Sequence, residues 1–212
     1  MTNPEARLNA AAALRDLNHA FVGHDRSTED LRALAEFATS EAASMREGER
    51  RDRLALIRSV IAARGGLDQS GFMANSGFDD RAVAGTANPT SIDLDVRYEG
   101  DEVVADLILR HAFEGAPGRA HGGIVAAAFD DVTGFVIGRL EEPAFTGELT
   151  VRFVAPVPVE ETIVIRARLE SRERRKLFIV AEATVGEDVV ATCHAIYIKV
   201  DPAIFAGSPD PR

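Results

Sequence analysis

The stretch Gly115-Ala116-Pro117-Gly118-Arg119-Ala120-His121-Gly122-Gly123 runs directly into an apolar segment, Ile124 to Leu140, and the reading of that junction decides the fold. A glycine-rich loop cannot hold either regular period, whereas Ile124 to Leu140 is long enough for a helix and is interrupted by Asp130 and Asp131. Two acids in the middle make it a buried core helix rather than a membrane span. Working outward, Ile92-Asp93-Leu94-Asp95-Val96 alternates apolar with charged residues, and after a Glu99-Gly100-Asp101 turn Val103 to Leu109 completes a hairpin. Beyond the helix, Phe145 to Ala155, Thr162 to Leu169, Leu177 to Val185 and Val189 to Val200 read as consecutive antiparallel strands, with Gly186-Glu187-Asp188 turning into the last. One long helix against one antiparallel sheet, an α+β arrangement, is the economical packing of these elements.

The N-terminal third has a different texture. From Pro4 to about Arg64, Ala, Leu, Glu and Arg recur with apolar residues at helical spacing, as in Leu31, Leu34, Ala35 and Ala38. Three helices are expected, one capped at Ser27 and one stopped by Arg64-Gly65-Gly66. Leu67 to Pro89, rich in Gly, Asn, Asp and Ser, reads as a connection over the surface. The boundaries are therefore 1–66 for a helical extension, 67–87 for the connection, 88–202 for the sheet-and-helix domain and 203–212 for a tail.

The formal net charge of -10 argues against nucleic acid or an anionic membrane as partner, because phosphate neutralisation needs clustered Lys and Arg. The opening MTNPEARLNA is too polar for a secretory signal, and a single cysteine, Cys193, makes no intrachain disulfide, so a cytoplasmic location is expected. Cys193 lies in an alternating strand and reads as a buried, inert thiol. His19, His24, His111 and His194 lack metal-ligand spacing, and no P-loop or dinucleotide fingerprint is present, so no metal or cofactor is expected.

Chemistry points to the loop-helix junction. The amides of Gly122 and Gly123 fall in the first helical turn, where they have no carbonyl partner within the helix and the positive end of the macrodipole stands behind them. Such amides suit a carbonyl oxygen that gains negative charge in acyl transfer; the plainer reading is a tight turn that merely starts a helix. Asp130 and Asp131 sit in apolar surroundings, where an ionised carboxylate is costly unless something uses it. Neighbours on a helix point about 100° apart, so one acid is expected to be functional and the other structural, and the helical wheel does not say which. Eight residues separate Gly122 from Asp130, about 12 Å along the axis at 1.5 Å per residue, too far for both to act on one substrate within one chain. A twofold dimer with two shared sites follows from that distance.

His121-Gly122-Gly123 with an Asp nine residues after the histidine, the strand Leu149-Thr150-Val151-Arg152-Phe153-Val154-Ala155-Pro156, and the closing Tyr197-Ile198-Lys199-Val200-Asp201-Pro202 together resemble the hot-dog-fold acyl-CoA thioesterases, in the branch of PaaI and thioesterase superfamily member 4. The resemblance covers roughly residues 88 to 202 and not the helical N-terminal third. It implies a hot-dog fold, a long central helix wrapped by a curved antiparallel sheet, assembled as homodimers that often pair into tetramers. It also implies metal-free hydrolysis of acyl-coenzyme A, with coenzyme A part of the substrate rather than a cofactor. By resemblance Asp130 corresponds to the catalytic carboxylate, acting as general base or nucleophile, and Asp131 to no catalytic position. Gly122 corresponds to the amide that polarises the thioester carbonyl, His121 to the motif histidine beside it, and Thr146 to the hydroxyl that helps orient water. At Gly115 some relatives carry an Asn that assists carbonyl binding.

Strict alternation along the strand puts Thr146 on one face with Glu148, Thr150 and Arg152, away from Leu149, Val151 and Phe153. Gly123 belongs to the same substrate-binding turn. Arg172, Arg174, Arg175 and Lys176 form the main basic cluster, in a turn between strands; they either hold the coenzyme A phosphates or form a solvated hairpin. Two other functions compete with hydrolysis: a hot-dog protein that binds or senses acyl-CoA without turnover, and a hot-dog hydratase or dehydratase. The retained carboxylate at Asp130 argues against the first, and release of free CoA separates the second.

Overall fold

The computed structural model describes residues 4–52, 55, 79–140 and 142–201. Two helices, α1 (Pro4–Gly23) and α2 (Thr28–Glu47), precede strands β1 (Leu94–Glu99) and β2 (Glu102–Ile108), a short 3-10 turn (His111–Phe113), helix α3 (Gly122–Leu140), and strands β3 (Ala144–Phe153), β4 (Thr162–Glu173), β5 (Lys176–Val185) and β6 (Asp188–Lys199). The Ser27 cap is present, its hydroxyl accepting from Asp30 N–H at 3.1 Å. The expected stop at Arg64-Gly65-Gly66, the first part of the connection and the 203–212 tail lie outside the described residues.

The six strands form one antiparallel sheet in the order β1-β2-β4-β5-β6-β3. Glycines in the left-handed region turn two of its hairpins, Gly100 between β1 and β2 and Gly186 between β5 and β6. Alternation is kept where the sheet has one buried face: Ile163, Ile165 and Ala167 of β4, Leu177, Ile179, Ala181 and Ala183 of β5, and Ala191, Cys193, Ala195 and Tyr197 of β6 are buried. α3 lies across that face and contributes Val125, Phe129, Val132 and Val136 to the same core. Burial of that order, at ~25 cal/mol per Å² of apolar surface, is the main stabilising term for such a layer pair.

The chain enters and leaves α3 by tight routes. After β3 it crosses back along residues 154–161, where Val154 and Ala155 N–H donate to Val190 O, Glu160 N–H to Leu109 O, and Val157 O accepts from Ala120 N–H in the loop before α3. The connection before β1 does more than wrap the surface. Its described part buries Ala87, Ser91 and Ile92, closes on itself through Ile92 N–H to Val83 O, and needs glycine at 85, where a Cβ would lie 2.3 Å from Arg81 N.

α1 is docked unusually. Its buried residues are Ala11, Arg15 and His19, one every four positions, while Leu14, Leu17 and Phe21 are exposed. Arg15 donates to Asn88 O at 2.8 Å and Ser91 Oγ at 2.9 Å and pairs with Asp93 at 3.0 Å, and Asp16 pairs with Arg110 at 2.7 Å. Polar groups therefore hold this helix to the domain.

Candidate active site

The loop from Glu114 to His121 closes into a small hairpin of its own. Gly115 N–H donates to Arg119 O and Arg119 N–H to Ala116 O, both at 2.8 Å, and Gly118 takes the left-handed conformation at the tip (φ 73°). His121 N–H then donates to Phe113 O at 2.8 Å, which fixes the residue that starts α3. Gly115 packs so closely that a Cβ there would sit 3.0 Å from His121 Cα. A side chain at this position would have to push the His121 backbone aside by a few tenths of an ångström.

Of the two glycine amides, Gly123 N–H donates to His121 Nδ1 at 3.0 Å. The histidine ring folds back and caps its own helix, which puts the ring proton on Nε2. Only the Gly122 amide keeps its donor uncommitted among the described residues. A Cβ on Gly122 would lie 3.2 Å from Phe153 Cζ, so the β3 ring flanks this amide. The expectation of two open N–H groups is corrected to one, because the motif histidine consumes the other.

The two acids have different partners. Asp131 accepts from Ala84 N–H at 2.8 Å and ties the connection before β1 to α3. Burial, more than Asp130, holds its carboxyl above the usual carboxylate range, while Arg81 and the Ala84 N–H pull the other way. Asp131 is thus turned toward its own chain. Asp130 faces β3 and β6: its Oδ1 accepts from Thr146 Oγ1 at 2.8 Å, and its main-chain carbonyl accepts from Tyr197 Oη at 3.0 Å. Tyr197 Oη also lies 2.9 Å from Thr133 Oγ1, and burial pushes the phenol up to about 12, so it stays a neutral donor.

Thr146 reaches Asp130 because alternation fails. β3 slips register against β6 between Thr146 and Glu148, a bulge at Gly147 where a Cβ would meet Ile198 Cγ1 at 2.9 Å. Thr146 pairs with buried Tyr197 and shares its face, whereas Thr150 pairs with exposed His194 on the other. The expected grouping of Thr146 with Glu148, Thr150 and Arg152 is therefore overturned by one extra residue.

The basic cluster caps the β4-β5 hairpin. Arg172 pairs with Glu142, as does Lys199, and Arg175 donates to Lys199 O at 3.1 Å; Arg174, with a left-handed backbone (φ 50°), and Lys176 are exposed. Lys176 stands opposite Ile198, which stands opposite Phe145, so the cluster lies one row from Thr146 and two strand spacings, about 10 Å, across the sheet. Sequence reasoning gives Tyr197 and Thr133 no part in holding Asp130. A tyrosine amid the Ala, Ile and Val of a core strand was the available signal, since a buried phenol needs a partner.

Residues 117–198, from the loop before α3 nearly to the end of β6, match the family model described as the thioesterase superfamily. Acyl-coenzyme A thioesterase THEM4 of Mus musculus is 33% identical over 91 residues, which are 42% of this chain and 39% of that protein. Acyl-coenzyme A thioesterase THEM5 of Homo sapiens is 33% identical over 92 residues, 41% of this chain and 36% of that protein. The match thus spans about two-fifths of those curated relatives. A crystal structure described as a thioesterase superfamily protein shares the fold with a TM-score of 0.75 at 22% identity, over 93% of this chain and 92% of that one. The chain therefore has the hot-dog fold, and coverage that broad takes in the N-terminal helices as well.

Proposed function

We propose that this chain hydrolyses the thioester of an acyl-coenzyme A, with each site shared between two copies. The observation that carries the reading is Asp130, a carboxylate on the core helix whose Oδ1 is held by Thr146 at 2.8 Å, in a helix that opens with the uncommitted Gly122 N–H. With Oδ1 occupied, Oδ2 is left to take a proton from water. The Gly122 N–H, aided by the helix dipole, stabilises the oxygen that becomes negative as water adds to the thioester carbon. Collapse of that intermediate expels the coenzyme A thiolate and leaves the free acid. His121 fixes the turn through Nδ1 and presents Nε2–H outward, and Arg174, Arg175 and Lys176 are the candidate contacts for coenzyme A phosphates.

The helix spacing argues for a homodimer. Gly122 and Asp130 of one chain stand about 12 Å apart along α3, so the two act on one carbonyl only if they come from different chains. β3 is an edge strand with half-exposed Phe145 and Phe153, the kind of edge that a second copy covers.

Both halves of the reading are tested together by free-thiol release from a panel of acyl-coenzyme A esters, acetyl to long-chain and aryl. Gly122→Pro deletes the N–H at a first-turn position where proline is tolerated, and Asp130→Asn deletes the base. Each variant alone is expected to be inactive, and co-refolded mixtures are expected to regain turnover, because one mixed site keeps both groups. Mixtures that stay dead while each variant is folded and dimeric would overturn the shared site. Full activity in Asp130→Asn would overturn the hydrolase mechanism.

A further inference from the structure

We propose that α1 is a working part of the active-site turn, with His19 acting as the positioning residue that sets where the Gly122 N–H points. The inference deepens the hydrolase reading and rests on it for its kinetic consequence. His19 is buried at 3% exposure although Leu14, Leu17 and Phe21 of the same helix face outward. Its Nδ1 accepts from Ala112 N–H at 3.1 Å, and its ring meets Phe113 edge-on, with centroids 4.9 Å apart at 77°. Phe113 O is the acceptor for His121 N–H at 2.8 Å, and His121 O starts α3 by accepting from Ile124 and Val125 N–H. Three links therefore join the α1 imidazole to the residue directly before Gly122. The contact is tight at the end of α1 too: a Cβ on Gly23 would lie 2.6 Å from His111 Cδ2, in the same 3-10 turn.

An acceptor at this point is not supplied by anything else described. Ala112 N–H lies within the 3-10 turn, whose other early amides, those of Phe113 and Glu114, are satisfied by Arg110 O and His111 O. Loss of the His19 acceptor would leave a partly buried donor unmade, and the turn would relax to solvate it. Because transition-state stabilisation falls steeply with donor position, a small relaxation at Phe113 should appear in kcat rather than in KM.

Two substitutions separate positioning from space filling. In His19→Asn the amide oxygen occupies the place of Nδ1 and can still accept from Ala112, whereas in His19→Gln the acceptor moves out to the place of Nε2. Glutamine is nearer to histidine in volume. We expect His19→Asn to keep kcat within about twofold of wild type, and His19→Gln to lose about tenfold in kcat with KM little changed. Amide exchange of His121 should accelerate in the Gln variant alone. Equal kcat in the two variants, or greater damage in Asn than in Gln, would overturn the assignment.

The exchange readout does not depend on turnover. If wild type releases thiol from none of the esters, the hydrolase reading fails, while His121 exchange still decides the positioning. If the Gln variant does not fold, wild type supplies the test through acidification. His19 is faced by Arg110, Asp93, Glu160 and Asp16; burial, reinforced by Arg110, holds its pKa below the usual imidazole value against the three acids. Protonation removes the acceptor, so protection at Ala112 and His121 should fall together as pH drops through that lowered value, and unchanged protection would overturn the link.

Discussion

Asp130 and Asp131 are neighbours in sequence and differ in almost everything else. On the Asp131 side, α3 is closed by its own chain: Ala84 N–H donates to the carboxylate, Arg81 adds its charge, and the guanidinium stacks 5.1 Å from the Phe135 ring centroid. On the Asp130 side the partners are hydroxyls: Thr146 holds the carboxylate, while Tyr197 and the helix's own Thr133 hold the main-chain carbonyl. The lesson is that identical side chains on one helix acquire different work from what covers them. An acid fastened to a neighbouring backbone donor holds structure together, whereas an acid braced by a hydroxyl is the one the proposed mechanism uses for proton transfer.

Five substitutions break or sharpen that contrast. The largest effect is expected from Asp130→Asn, which keeps an acceptor for Thr146 and removes the base: kcat should fall by about 10²–10⁴-fold, with the thermal midpoint nearly unmoved, in thiol-release assays paired with calorimetry. Next, Asp131→Ala leaves the Ala84 N–H unmade in a partly buried setting and should cost about 1–3 kcal/mol in urea unfolding, while turnover per folded molecule stays within about twofold. Thr146→Val takes the donor from Oδ1 and should lower kcat about tenfold, Thr146→Ser restoring most of it. The smallest effect concerns pH. Because the folded carboxyl of Asp131 titrates above its unfolded value, its favourable contribution is complete below the unfolded pKa and is lost as pH rises through the folded one. Asp131→Asn, which still accepts from Ala84, should therefore gain on wild type as pH rises past that point, measured by denaturant midpoints across the acid range.

Much of this architecture was legible in the chain. The switch from a Gly-rich loop to the apolar run at Ile124 located α3, and alternation located every strand of the sheet, because a half-buried antiparallel layer writes its period into the sequence. β4 and the first strand ran longer than their apolar parts, since charged residues such as Arg97 and Arg172 continue ladders whose outer face is solvated. What alternation could not carry was the bulge at Gly147: inserting one residue reverses the phase without altering composition, and so Thr146 was assigned to the wrong face. Nor could spacing separate Asp130 from Asp131, because the distinguishing partners, Ala84 and Thr146, lie 47 and 16 residues away. His19 was invisible as a positioning group for the same reason, its acceptor role depending on a turn 93 residues later.

Cys193, facing the core from β6, has a practical use that follows from its burial. Enclosure pushes its thiol up to about 12, and it is the chain's sole cysteine. A disulfide reagent added to the native protein at neutral pH meets almost no thiolate of protein origin, so colour developed in such an assay counts liberated product alone. The same reagent added during denaturation reports the sheet coming apart, one equivalent per chain, and a single chromophore can thereby follow both turnover and unfolding.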